Sequence, residues 1–282
     1  MTHVLLSIGH GYSAEGLANR LLPRGWRVIG TTRSRATELV AQAVEPLLWP
    51  GQALPIGQAT HLLTSVAPGP LGDPVLAEYA DVLAQARHLS WVGYLSTVGV
   101  YGDAQGGWVD EDTANPAQSA RAQARLQAEL AWADVCARAG VRLHIFRLGG
   151  IYGPGRGPFQ KLREGRAQMV IKPGQYFSRI HQDDIGQALE KAMHSDIGSR
   201  IWNLVDDTPA PPQDVLRFAA DLIGLPHPPD VSFDEADLSP MARAFYADSK
   251  RVRNDRIKQE LGLQFLYPDY QTGLRAILAS EA

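Results

Sequence analysis

Residues 9–14 read Gly9-His10-Gly11-Tyr12-Ser13-Ala14, directly after the apolar run 4–8. A Gly-x-Gly-x-x-Ala turn between a strand and a helix can cradle a diphosphate. Gly9 makes the tight turn, Gly11 lets the backbone approach the pyrophosphate, and Ala14 is small enough for close packing of helix on strand. The helix N-terminus then aims backbone N–H groups at the phosphates, with Tyr12 and Ser13 flanking them. Further on, the run 27–31 leads into Thr32-Arg33-Ser34-Arg35, and no Asp or Glu occurs between Gly25 and Ala36. An acid in this place binds the ribose 2′-hydroxyl of NAD, whereas an Arg suits the 2′-phosphate of NADP. Arg33 and Ser34 therefore predict NADP rather than NAD.

The elements that must position these residues alternate between strand and helix. Apolar runs at 4–8, 27–31, 61–66, 91–96 and 141–148 are separated by stretches of helical spacing. The longest, 121–139, is Ala-rich without Gly or Pro, and Gly140 suits its C-terminal cap. Such alternation predicts an α/β fold, a Rossmann-type doubly wound parallel sheet with right-handed crossovers. Beyond Gly153 the segments are shorter, more polar and punctuated by Pro clusters. The expected division is a dinucleotide-binding domain over 1–155 and a smaller C-terminal substrate lobe over 156–282, packed as one unit.

The bulk composition narrows the function classes. The chain has 282 residues, 45% hydrophobic and 20% charged, with a formal net charge of −3. That balance gives no reason to expect nucleic acid or an anionic membrane as partner. A single cysteine, Cys136, excludes an internal disulfide and thiol-based metal sites, and no metal is expected. No apolar stretch reaches the ~20 residues of a membrane span. Met1-Thr2-His3 runs straight into the first strand without the pattern of a signal peptide, so a cytoplasmic protein is expected.

Taken in order along the chain, further segments resemble the extended, epimerase/dehydratase-like branch of the short-chain dehydrogenase/reductase superfamily. Ser96-Thr97-Val98-Gly99-Val100-Tyr101-Gly102 is similar to its active-site strand end. Arg147 to Gly155 resembles its Arg…Tyr-Gly-Pro segment, which borders the nicotinamide. Arg179 to Ile185, Trp202 to Leu204 and Ser249 to Asn254 resemble later segments. The resemblance implies that Thr97, with Ser96 beside it, orients a substrate oxygen. It also implies that Ser65, Ala67, Gly150 and Ile151 border the cofactor.

The same resemblance exposes a departure. Family helices commonly read Tyr-x-x-x-Lys-x-x-x-Glu, and Glu129 sets a register that puts Arg121 and Arg125 in the Tyr and Lys places. No Tyr occurs between Tyr101 and Tyr152, so no shift of register restores the pair. Arg stays charged and has no acceptor, so it cannot cycle a proton near neutrality. The expectation is an atypical NADP-binding oxidoreductase or epimerase-like enzyme. Arg121 would hold an anionic group of a small-molecule substrate, Arg125 would donate to the ribose, and Tyr101 or water would supply the proton. The rival expectation is a non-catalytic NADP(H)-sensing regulatory protein. Related proteins often pair through two helices, so the 121–139 helix is a candidate homodimer surface.

Overall fold

The computed structural model describes residues 3–114 and 119–281. Strand β1 (Val4–Ile8) enters helix α1 (Tyr12–Leu21) through the glycine turn. It is followed by β2 (Arg27–Thr32), α2 (Ala36–Ala41), β3 (Glu45–Leu48), β4 (His61–Thr64), α3 (Pro74–Ala84) and β5 (Trp91–Thr97). A short β6 (Trp108–Val109) precedes α4 (Ala120–Ala139). Then come β7 (Leu143–Leu148), β8 (Gly150–Tyr152), α5 (Phe159–Arg163), β9 (Met169–Ile171), β10 (Arg179–His181), α6 (Gln182–His194) and β11 (Arg200–Leu204). The chain closes with α7 (Pro212–Leu222), β12 (Asp230–Ser232), α8 (Pro240–Phe245), β13 (Arg251–Val252), α9 (Asp255–Leu261) and α10 (Tyr270–Ser280).

The central sheet has seven parallel strands in the order β11-β7-β5-β4-β1-β2-β3. Strand order reverses between β1 and β4, which leaves a crevice at their carboxyl ends where ligands of such sheets bind. Side chains alternate across the sheet. Leu6 and Ile8 pack with Tyr94 and Trp132 under α3 and α4, while Leu5 packs with Leu17, Ile185 and Trp202 under α1 and α6. Helix α4 starts where Ser119 Oγ accepts from Ala122 N–H at 3.2 Å and ends at Gly140, φ +70°. Among the described residues no helix is long and apolar enough to cross a membrane.

The expected division at residue 155 needs correction. Helix α6 and strand β11 lie beyond it, yet they complete the large sheet and its cover. The smaller lobe is instead made from segments on either side of them. Its core joins Tyr152, Phe159 and Leu162 to Ala219, Tyr270 and Leu274. Three two-stranded parallel ladders, β8 with β10, β9 with β12 and β6 with β13, brace it.

Two packing features set the rigidity of the sheet. On one face α1 and α6 touch backbone to backbone at Gly16 and Gly186. Toward the amino ends of the strands runs a row of alternating Trp and His rings: Trp26, His61, Trp91, His144 and Trp202. Successive centroids are 4.8, 6.4, 6.2 and 4.7 Å apart. Trp91 Nε1 donates to His144 Nδ1 at 2.9 Å, and His144 Nε2 faces the Ile197 and Gly198 carbonyls at 3.2 and 3.1 Å. These contacts fix His144 as a neutral ring with its proton on Nε2.

Candidate active site

The glycine turn has the form a diphosphate needs. Gly9 sits at φ +77°, and a Cβ there would lie 2.9 Å from Val66 Cγ2 and 3.0 Å from Ser65 Oγ. Its N–H donates to Thr31 Oγ1 at 2.7 Å, and Ser65 Oγ donates to its carbonyl. Ser65 thus braces the turn from below. Gly11 is the N-cap of α1, and a Cβ there would meet nothing nearer than Gly9 O at 3.9 Å. Its carbonyl accepts from Ala14 and Glu15 N–H. Among the described residues nothing accepts from the Gly11, Tyr12 or Ser13 N–H groups, which are the orphan donors of a helix start. These residues fit a dinucleotide diphosphate.

The Tyr12 side chain does not lie along that space. Its hydroxyl donates to Pro154 O at 3.0 Å, its ring stacks under Arg156, and Gly153 passes so close that no Cβ would fit. Tyr12 begins α1 at the turn, and its side chain reaches across to the loop that follows β8. Burial pushes its pKa up to about 12. Beneath the turn His10 is buried with Nδ1 on Ser7 Oγ at 2.9 Å and Nε2 without a hydrogen-bond partner among the described residues, and burial lowers its pKa to about 4. At the end of β2 the Thr32 hydroxyl accepts from Arg35 N–H at 2.9 Å, and the Arg35 guanidinium is taken up by Glu38 and by Glu15 of α1. Arg33 is exposed and makes no ion pair among the described residues, with Ser34 exposed beside it.

The carboxyl end of β5 carries the adjacent hydroxyls of Ser96 and Thr97, and consecutive strand residues face opposite ways. Ser96 is buried and donates to Glu129 Oε1 at 2.5 Å. Glu129 pairs with Arg147 at 2.7 Å, both side chains 5% exposed or less. Arg147 Nη1 donates to Tyr101 Oη at 3.0 Å, and Tyr101 donates to Asn203 Oδ1 at 2.7 Å. Ser96 and Tyr101 are therefore corrected from reacting groups to members of a closed interior network spanning β5, α4, β7 and β11. Burial raises the Tyr101 pKa. Thr97 is half-buried, and its Oγ1 accepts from Gly99 N–H at 3.1 Å. Among the described residues nothing accepts from its hydroxyl.

The two arginines of α4 part company. Arg125 is buried and its Nη1 donates to Tyr94 Oη and Leu95 O, both at 3.0 Å. It props the strand end from inside, a correction to the expected ribose contact. Arg121, one turn earlier, is exposed and has no polar partner among the described residues. Ala67 and Gly150 are exposed at the strand ends and Ile151 is half-buried, so each has surface open to a ligand. Sequence reasoning missed the Arg147–Glu129 pair. A lone Arg inside the apolar run 143–148 was its available signal, because a buried charge needs a partner. Glu129→Gln is expected to lower stability by about 2 kcal/mol, since Arg147 would keep a hydrogen bond but lose its counter-charge. Urea unfolding measures this, and an unchanged midpoint would show the network to be dispensable.

No family model matches the chain. Protein YeeZ of Escherichia coli (strain K12) is 27% identical over 287 residues, covering 93% of this chain and 95% of that protein. A functionally unknown conserved protein from Silicibacter pomeroyi DSS is 52% identical, covers 99% of each chain and superposes with a TM-score of 0.95. A putative NAD-dependent epimerase/dehydratase from Methylobacillus flagellatus is 26% identical, with 99% and 98% coverage and a TM-score of 0.73. The chain thus shares a Rossmann-type fold with NAD-dependent epimerase/dehydratase-type proteins. The human epimerase family protein SDR39U1, solved with NADPH, shares the fold at 17% identity, a TM-score of 0.72 and coverage of 98% and 99%.

The segments around His181 and Asp184 serve as joints between sheet and lobe. His181 caps α6, with Nδ1 accepting from Asp183 N–H at 3.2 Å, and its ring packs on Tyr267 and Tyr152. Burial lowers its pKa. Tyr152 is buried, with its hydroxyl on Asp269 O at 3.3 Å. Asp184 accepts from Leu266 and Tyr267 N–H at 2.7 and 3.0 Å, and burial raises its pKa to about 6. The Tyr152 hydroxyl and the Asp184 carboxyl are held by backbone groups, whereas His181 Nε2 is buried with no hydrogen-bond partner among the described residues.

Proposed function

We propose that the chain is an NADP(H)-dependent oxidoreductase or epimerase-type enzyme acting at a carbonyl or carbinol carbon. The observation that carries this reading is the pairing of orphan N–H donors at Gly11, Tyr12 and Ser13 with the uncommitted Thr97 hydroxyl proton across one crevice. A bound nicotinamide supplies or takes up hydride there. The N-terminus of α1 would hold the diphosphate, and Gly150 and Ile151 would border the ring. Thr97 would donate to the substrate oxygen, stabilising negative charge as it develops. Arg121, exposed and unpaired, would take an anionic group of the substrate. The unpaired Arg33 supports NADP over NAD, because a 2′-phosphate forms charge-assisted hydrogen bonds with it.

Titration of the six tryptophans' fluorescence tests the reading. NADPH is expected to bind roughly 10–100-fold more tightly than NADH, and Arg33→Ala to erase most of that difference. Binding of neither dinucleotide would end this proposal, and equal binding of both would remove Arg33 from it.

A further inference from the structure

A half-buried guanidinium stands just past the end of β7. Thr97 is the register partner of Leu148, and Gly150 is two residues further on. The Cα atoms of Thr97 and Gly150 are therefore no more than about 12 Å apart. Strand β10 is seated on this end of the sheet. Arg179 is the partner of Gly150, and a Cβ on Gly149 would lie 2.7 Å from Ser178 O. The Arg179 stem runs past Gly150, where a Cβ would lie 3.8 Å from its Cγ. Gly150 is exposed, so the stem borders open space.

The head of this side chain is only partly committed. Nη1 donates to Phe177 O at 3.0 Å and to Ala210 O at 3.1 Å, which leaves Nε and Nη2 without an acceptor among the described residues. The guanidinium lies 5.9 Å from the Phe177 ring, and Tyr246 stands edge-on to that ring at 5.3 Å. Burial lowers the Arg179 pKa, and the acid that acts most strongly against this is Asp206. Asp206 N–H donates to Arg179 O at 2.6 Å, but the two side chains form no ion pair. Asp206 Oδ1 accepts from Thr208 N–H at 3.2 Å, and its buried Oδ2 has no hydrogen-bond partner among the described residues. Burial raises the Asp206 pKa well above the carboxylate range, which favours its uncharged form. A cation set this deep without a paired anion is costly, and an anion on its free donors removes that cost.

We infer that Arg179 recognises a carboxylate of the substrate through its Nε and Nη2 edge. That the carboxylate belongs to a substrate rests on the dinucleotide-dependent reading above; the carboxylate site itself does not. The planar fork matches a planar carboxylate through two parallel N–H···O bonds. One negative charge balances one guanidinium, whereas a phosphate dianion would bring a second charge toward Asp206. With the reacting oxygen at Thr97 and the carboxylate beside Gly150, the substrate class is a small oxo or hydroxy acid. This anchor is separate from exposed Arg121.

Ligand-observed NMR titration with malonate, succinate and glutarate, each against its diamide, tests this on the full chain with and without saturating NADPH. The wild type is expected to bind at least one diacid roughly tenfold more tightly than its diamide. Arg179→Gln is expected to weaken that diacid roughly 10–100-fold and to leave the diamide where it was, a change of selectivity that a merely structural role would not produce. Arg179→Lys keeps the charge without the fork and is expected to restore only part of the affinity. A wild type that prefers no diacid overturns the inference. So does an Arg179→Gln variant with wild-type selectivity, or a preference lost with Arg121→Gln but kept with Arg179→Gln. Orthophosphate that binds more tightly than every diacid and is lost with Arg179→Gln overturns the carboxylate assignment. If Arg179→Gln does not fold, Arg179→Lys decides, and full wild-type affinity in it overturns the fork. Failure of NADPH and NADH to bind wild type ends the dinucleotide reading, while the titration without cofactor still decides the Arg179 site.

Discussion

Gly186→Ala is expected to cost about 4 kcal/mol or more and to impair dinucleotide binding with it. A Cβ at Gly186 would lie 2.5 Å from the Gly16 carbonyl carbon and closer still to its oxygen. Both obstacles are backbone, so no change of rotamer relieves them, and α1 must move away from α6. The reverse contact is as tight: a Cβ on Gly16 would sit 2.8 Å from Gln182 O. The helices are also held further along, where Arg20 of α1 pairs with Glu190 of α6 at 2.5 Å. Separation at the glycines would tilt α1 about that tie and shift its N-terminus, where the orphan donors converge. Gly57→Ala is the control, because a Cβ there meets nothing within 4 Å. Urea midpoints of the two variants decide it. Equal midpoints would mean that the helix contact can yield without cost.

The second large effect is acid lability. Burial lowers the pKa of His10, His61 and His144 to about 4 each, from an ordinary 6.5. Below pH 6.5 the unfolded chain takes up protons that the native rings refuse. Stability from these groups is complete above pH 6.5, falls as pH drops toward 4, and then levels off. Each ring accounts for about 3 kcal/mol over that window. Together they rival the whole stability of an ordinary domain, about 5–15 kcal/mol. Chemistry points the same way at His144, where a proton on Nδ1 would oppose the Trp91 N–H that now donates to it. Urea unfolding at pH 7.5, 6 and 5 is expected to show a steep loss. His61→Phe keeps the ring among its aromatic neighbours and is expected to flatten the slope. A midpoint that does not change between pH 7.5 and 5 would contradict this account.

Much of the cofactor half was legible in the sequence because its signals are local. A glycine pattern needs only its flanking strand and helix, and α4 needed only its uninterrupted Ala-rich run and Gly140. The edge strand β3 was not legible, because Pro46 interrupts its pattern and its residues are largely exposed. Strand β11 was missed as a strand because its pairing with β7 is set by tertiary packing of Trp202 and Leu204 rather than by any turn signal nearby. The reacting groups were harder. Ser96, Thr97 and Tyr101 all look eligible in a one-dimensional reading. The alternation of β5 already forbids Ser96 and Thr97 from sharing a face, but Tyr101 is decided by Arg147 and Asn203, both distant in sequence.

The interleaving of lobe and sheet governs how the chain could be divided. Because β11 is supplied only after β8, β9 and β10 have been laid into the lobe, a fragment ending near residue 155 would carry a six-stranded sheet bordered by bare β7. The exposed border would be Leu143 to Leu148, every residue of which is buried in the intact chain. Its unpaired N–H and C=O groups would form a flat apolar template for other strands. The dinucleotide-binding half of this protein is therefore not a transplantable module: its solubility is on loan from the far end of its own chain.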